Sequence, residues 1–174
     1  NGSHVLYVAD QETNDRFALY AVPTSGGSAV NLSGIQDTGA SIDELYRTNG
    51  NDRVIYTRYI NNKTDLFSVS ISNGAPIQLT AATESAGLVT WTSPDNRKVV
   101  FFTQYDENGV SKYKLYAISP EGGTATVLSS TDQTGGNAQS VSGVDFTSDS
   151  KHVIFSINQN SAMTFYSVPI EGGS

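Results

Sequence analysis

Two groups of acidic side chains are the first residues with ligand chemistry to offer. Asp10, Glu12 and Asp15 follow one another closely, and Asp106 and Glu107 are adjacent. Carboxylate oxygens are what calcium takes as ligands. The spacing does not follow an EF-hand loop, and loop carboxylates are more commonly just solvated, so these five residues are weak metal candidates and no metal or cofactor is assigned. His4 and His152 supply imidazoles, but zinc binding or acid–base catalysis needs convergent partners, and the sequence places none beside them. The two histidines hold matching places at the start of one recurring strand, which packing in register explains more simply. A Gly-x-Ser-x-Gly elbow for a peptidase nucleophile is absent, and so are a P-loop and a dinucleotide-binding glycine pattern. Contact chemistry remains. Tyr59, Tyr105 and Tyr113 lie in or beside loops and are candidates for an interaction surface. Trp91, Tyr46 and Phe146 share one place at the end of a strand, where bulky residues of stacked repeats pack between neighbours.

What must position these residues is a motif that recurs four times. It reads Leu19-Tyr20-Ala21-Val22 before Gly26-Gly27, and Leu66-Phe67-Ser68-Val69 before Asn73-Gly74. It returns as Leu115-Tyr116-Ala117-Ile118 before Gly122-Gly123, and as Phe165-Tyr166-Ser167-Val168 before Gly172-Gly173. The aromatic always precedes the first turn residue by six positions, and the copies are 47, 49 and 50 residues apart. Apolar residues alternating with small polar ones describe a strand with one buried face. Gly-Gly or Asn-Gly supplies the positive φ of a two-residue hairpin. A short strand ending at Leu32, Leu79 or Leu128 follows the first three copies.

Two more strands precede each motif. An apolar one appears as Val5–Val8, Val54–Tyr56, Val99–Phe102 and Val153–Phe155. Before it, across a polar turn, comes another at Ile42–Tyr46, Leu88–Trp91 and Val144–Phe146. The turns are Thr48–Asp52, Ser93-Pro94-Asp95-Asn96 and Thr147-Ser148-Asp149-Ser150. Four short strands in about 45–50 residues make a β-propeller blade. The expectation is an all-β fold of four-stranded antiparallel blades, one propeller region over 1–174. Its repeats run approximately over 1–40, 41–86, 87–136 and 137–174, the first and last incomplete, with very little helix.

The Trp91-Thr92-Ser93-Pro94-Asp95 turn, the Val99–Phe102 strand, Leu115-Tyr116 and Glu121-Gly122-Gly123 resemble the WD40-like repeat of TolB-type propellers. That repeat also occurs in the propeller domains of prolyl-oligopeptidase-type serine peptidases and in tricorn-like proteins. The resemblance covers essentially the whole chain. The second repeat departs from it with Thr48-Asn49-Gly50, and the fourth lacks the proline. The Trp-Asp and Gly-His marks of ordinary WD40 repeats are absent, and kelch aromatics follow their glycines whereas these precede them. The resemblance implies a binding or scaffolding propeller, exported to a periplasm or cell exterior. It equally admits part of a peptidase propeller, its catalytic domain encoded elsewhere. A structural repeat of a surface layer or filament is the third reading.

Composition narrows the partners. Of 174 residues, 37% are hydrophobic, enough for a real core, and there is no cysteine for disulfides or thiolate metal sites. A net charge of −7 opposes binding to nucleic acid or an anionic membrane. No apolar run approaches the roughly 20 residues that cross a bilayer as a helix. A protein partner or self-assembly is the expectation. Asn1, Asn31 and Asn62 begin glycosylation sequons, of which Asn31 and Asn62 are the candidates for glycan attachment.

Four structural outcomes follow from this reading. Leu19, Leu66, Leu115 and Phe165 should be buried in equivalent places, with Ala21, Ser68, Ala117 and Ser167 on the same face. Gly26, Asn73, Gly122 and Gly172 should have positive φ. The strand count should be three, four, four and three. Finally, the Val5–Val8 and Phe165–Val168 strands should be sheet edges, so the 174 residues do not close a ring by themselves.

Overall fold

The computed structural model describes residues 2–35, 39–47, 52–72, 74–80, 85–107, 110–130, 140–159 and 162–172. Asn1, Thr48–Asn51, Asn73 and Gly173 lie outside them, and with them the φ of Asn73. The described residues form fourteen strands and no helix. The first sheet holds β1 (His4–Ala9), β2 (Ala18–Pro23) and β3 (Val30–Asn31) in that order. The second holds β4 (Ser41–Arg47), β5 (Arg53–Ile60), β6 (Lys63–Ser70) and β7 (Ile77–Gln78). The third runs β8 (Ser85–Thr92), β9 (Val99–Glu107), β10 (Val110–Ile118) and β11 (Thr126–Ser130). The fourth runs β12 (Ser140–Phe146), β13 (His152–Gln159) and β14 (Ala162–Pro169). Every pairing is antiparallel between sequence neighbours. The counts are three, four, four and three, and β1 and β14 are each the edge of their own sheet. The chain divides into two compact units, Asn1–Thr80 and Ala81–Ser174, of two sheets each.

Residues opposite one another across a strand pair share a face, so the registers sort each sheet into two faces. One is aromatic: Tyr7 lies opposite Tyr20, Tyr56 opposite Phe67, Phe101 opposite Tyr116, and Phe155 opposite Tyr166. All four pairs stack, with centroids 5.4, 5.6, 5.5 and 5.5 Å apart. Each such contact is worth about 0.5–1.5 kcal/mol beyond its buried area. The other face carries the motif leucine and the small residue two positions on. In the first unit, Leu19 and Ala21 share a core with Val54, Tyr56, Phe67 and Val69. In the second unit, Leu115 and Ala117 share one with Val153, Phe155 and Ile157. Both units therefore close in the same way, the leucine face of the earlier sheet on the aromatic face of the later one.

Leu19, Leu66 and Leu115 are each 0% exposed, and Ala21, Ser68 and Ala117 are buried with them. The fourth copy departs from the expectation. Phe165 is 70% exposed, and Ser167 is exposed too. Period two does place both on the leucine face of their sheet, but no described residue of their unit covers that face at this position. Alternation sets which way a side chain points; burial needs a neighbour as well.

The glycine turns also need a correction. Gly26, Gly122 and Gly172 have φ of 91°, 86° and 83°, as expected. Yet they do not sit in two-residue hairpins. Each closes a four-residue turn by donating its N–H to the carbonyl of Pro23, Ser119 or Pro169, at 2.9–3.0 Å. The next strand begins only at Val30 in the first copy and Thr126 in the third. This is a turn ending in a left-handed glycine, followed by a longer loop. The loop seats a short outer strand whose Leu32 and Leu79 donate their N–H groups to Leu19 and Leu66 carbonyls at 2.8 Å.

The first strands of the last three sheets all bulge. Ile42 to Leu45 spans one residue more than the facing Arg58 to Tyr56, and Ser142 to Asp145 does the same against Ser156 to Ile154. β8 is irregular between Ala86 and Thr90. An extra residue flips the alternation, which lets Ile42 (buried) and Leu45 (half-buried) both serve the first core.

Truncating Leu115 to alanine should cost about 2–5 kcal/mol in urea or guanidinium unfolding. Phe165→Ala, at the same repeat position, should stay within about 0.5 kcal/mol in dilute solution. Equal costs at the two sites would contradict the facial assignment.

Candidate functional site

The most developed polar feature is a groove in the second unit, built on two turns of the same design. Ser93 begins the turn between β8 and β9, and Thr147 the turn between β12 and β13. The Ser93 hydroxyl donates to Asp95 Oδ1 at 2.6 Å, and the Thr147 hydroxyl to Asp149 Oδ1 at 2.7 Å. The same carboxylate oxygens accept the N–H groups of Arg97 and Lys151, each at 3.1 Å. The hydroxyl oxygens accept from the N–H groups of Lys98 and His152, both at 3.0 Å. Asn96 and Ser150 take left-handed φ of 60° and 59°, the region in which short polar side chains are tolerated. The fourth repeat lacks the proline yet forms the same turn, so a hydroxyl residue and the aspartate two positions later are what the geometry requires.

The two turns are tied together by the Asp95 N–H, which donates to Ser150 Oγ at 3.1 Å. Between them lies a cavity of about 320 Å³ lined by Asp95, Arg97, Lys98, Asp149, Ser150, Lys151, Pro169, Ile170 and Glu171. Lys98 Nζ contacts Glu171 Oε2 at 2.8 Å. The Ser93 hydroxyl, then the Arg97 N–H and guanidinium, hold the Asp95 carboxyl below its ordinary pKa against a modest push from burial. Thr147 and the Lys151 N–H lower that of Asp149. Both carboxylates are therefore ionised at neutral pH and serve as acceptors within the turn, which suits neither to the role of general acid.

Within each unit, the residues singled out from the sequence do not converge on one place. Tyr59 is 45% exposed at the end of β5, and its hydroxyl donates to Asn62 Oδ1 at 2.8 Å. Tyr105 and Tyr113 stand on opposite faces of the third sheet, since Tyr105 lies opposite Lys112 and Tyr113 opposite Gln104. Lys114 Nζ sits 4.6 Å from the centre of the Tyr105 ring, and Tyr113 meets Phe102 edge-on. Asp10, Glu12 and Asp15 are exposed in the β1–β2 loop. Asp10 Oδ2 accepts the Asp15 N–H at 3.4 Å, and Glu12 Oε2 accepts from Asn31 Nδ2 at 3.4 Å. Among the described residues, no three His, Asp or Glu side chains are placed to hold a metal. Asp106 and Glu107 are described only as backbone at the end of β9. His4 and His152 do begin matching strands, opposite Pro23 and Pro169. Trp91 and Phe146 pack against the second core, as a packing role requires. Tyr46 is half-buried, and burial, then Glu44 and Asp43, push its phenol up to about 12.

The two sequons differ in setting. Asn62 is exposed in the β5–β6 turn with φ of 60°. Asn31 is half-buried; its amide donates to the Ile35 carbonyl and its oxygen accepts from Ser33 and Gly34. A polar cluster that the sequence did not disclose lies on the aromatic face of the second sheet. Asp65, 6% exposed, accepts from Lys63 Nζ at 2.7 Å and Thr80 Oγ1 at 3.1 Å, and Arg58, its partner in register, covers the Phe67 ring at 4.1 Å. Only the alternation of charged residues within an apolar strand pair hinted at it.

No family model and no curated protein matches the chain. Solved structures do. A puromycin-hydrolyzing peptidase of Mycobacterium tuberculosis matches with a TM-score of 0.62 and 9% identity, over 99% of this chain and 28% of its own. The oligogalacturonate lyase of Vibrio parahaemolyticus matches with 0.58 and 12%, over 98% and 50%. TolB from Acinetobacter baumannii gives 0.49 and 16%, over 99% and 39%. This chain thus spans half or less of the length of each. At such identities the peptidase and the lyase speak for the fold, and with the four sheets they make it a β-propeller one.

Ser93 is 1% exposed, so Ser93→Ala should cost about 1–3 kcal/mol by stranding the Lys98 N–H. The Asp95 carboxyl is lowered on folding, so its contribution is present above the unfolded aspartate pKa of about 3.9 and is lost as pH falls through the lower folded value. Urea midpoints taken from neutral pH down to about pH 2 should therefore fall less steeply in Ser93→Ala than in the wild type.

Proposed function

We propose that this chain is a binding or scaffolding β-propeller region that performs no chemistry of its own and works outside the cytoplasm, in a periplasm or at the cell exterior. One observation carries the reading: the groove's two carboxylates are spent on the turns that build it, and Lys98 is paired with Glu171. What remains to a ligand is a rigid rim of fixed charges, with Arg97 and Lys151 beside Pro169 and Ile170. Such a mixed, shallow surface suits a polypeptide partner more than a small substrate. Exposed Tyr59, and Tyr105 with its lysine neighbour, offer further contact area of the same kind. The TolB-type residues of the repeat and the cysteine-free, polar composition support export.

A second reading makes these sheets the propeller of a serine peptidase. It draws on the likeness to the puromycin-hydrolyzing peptidase, of whose chain this one spans 28%. A hydrolase domain in the same gene would favour it.

The purified chain should turn over no chromogenic ester, peptide anilide or oligogalacturonate above buffer rates, and fractionation of the source cells should recover it outside the cytoplasm. Turnover that disappears in the Asp95→Asn, Asp149→Asn double variant, while the fold persists by circular dichroism, would overturn the non-enzymatic reading. Cytoplasmic recovery would overturn the location.

A further inference from the structure

Four equivalent positions begin the aromatic faces, and four mark the leucine faces. Val54, Val99 and Val153 are each 0% exposed, whereas Val5 is 51% exposed. Leu19, Leu66 and Leu115 are each 0% exposed, whereas Phe165 is 70% exposed. The exceptions are one aromatic face, on the first sheet, and one leucine face, on the fourth. They are the two complementary halves of the contact that closes each unit internally.

The fourth sheet's open face holds Met163 (57% exposed) and Ile154 (37%) around Phe165. In register these fall on one side: Phe165 opposite Ser156, Ser167 opposite Ile154, and Met163 two residues before Phe165. On the first sheet's aromatic face Val5 is exposed beside half-buried Val22 and Tyr7, while Tyr20, stacked on Tyr7, is buried with Glu12 and Asp10 nearby. An exposed phenylalanine flanked by apolar residues is the composition of an interface centre, where aromatic anchors carry most of the binding energy.

We propose that the chain associates head to tail, the leucine face of its fourth sheet receiving the aromatic face of the first sheet of a second copy. The contact is sheet on sheet, at the roughly 10 Å spacing of stacked sheets, rather than strand pairing at the edges. It joins unlike surfaces, so it is heterologous and extends into a filament or closes into a ring. It deepens the scaffolding reading by naming a partner, but uses a different surface from the turn groove; an enzymatic activity found in the groove would leave it untouched.

Sedimentation velocity on the full 174-residue chain, over roughly 1–100 μM, tests it. The wild type should show a sedimentation coefficient that rises with concentration. Phe165→Asp and Val5→Asp should each lower the association constant at least about tenfold and sediment as monomers. Each variant keeps the face that the other has lost, so an equimolar mixture should form a 1:1 dimer that grows no further. Both sites are exposed, so the variants should fold, with thermal unfolding followed by circular dichroism as the check; Met163→Asp replaces Phe165→Asp if that chain fails to fold. A wild type that stays monomeric throughout would overturn the proposal and leave the face to an occupant other than a second copy. Self-association of Val5→Asp alone would also overturn it, because it would mean two leucine faces meeting each other.

Discussion

The stacked pair of aromatic rings across two paired strands of every sheet is the contact on which the rest of the structure depends. It fixes register, since a one-residue slip would send each ring to the opposite face. In the second and fourth sheets it also gives a broad surface, onto which the leucine and the small residue of the preceding sheet settle. A small residue two positions after the leucine is what lets the rings approach. Ala21 and Ala117 fill that place in the two described cores, and the combination repeats because the contact repeats.

Around this contact, polar groups finish the strand ends. The N–H groups of Leu19 and Leu66 donate to the hydroxyls of Ser33 and Thr80, at 3.1 and 3.2 Å, where the short outer strands end. The Ser93 and Thr147 turns do the same at the other side of the sheet, with an aspartate locking each hydroxyl. In the sequence the Ser93–Asn96 and Thr147–Ser150 segments read as polar turns. Their geometry shows the hydroxyls and turn carboxylates meeting the obligatory hydrogen bonds of a fold with many strand ends.

This division of labour frames the functional reading. A fold built of stacked sheets is rigid through its faces and variable on its rims, and recognition falls to whatever the rims and any uncovered faces present. Here the rims present a mixed-charge groove and isolated tyrosines, while Phe165 and Val5 are among the exposed apolar side chains.

Much of this was legible in the residues themselves. The fixed interval between motif aromatic and glycine, and the alternation of apolar with small residues, set the four repeats, the fourteen strands and the burial of Leu19, Leu66 and Leu115. Those features are local or periodic, and a period of two determines which side chains share a face. Three things were decided only by tertiary structure. The length of the glycine loops follows from where the outer strand finds its partner, and a Gly-Gly pair alone fits several loops. The bulges in β4, β8 and β12 follow from bending a first strand against its neighbour, and they break the alternation by which Ile42 and Leu45 would otherwise be assigned. Phe165 is the clearest case. Its sequence position is that of a core residue, and period two does put it on the core-type face. Whether that face is buried depends on a second sheet being there to meet it, which no pattern within the strand encodes.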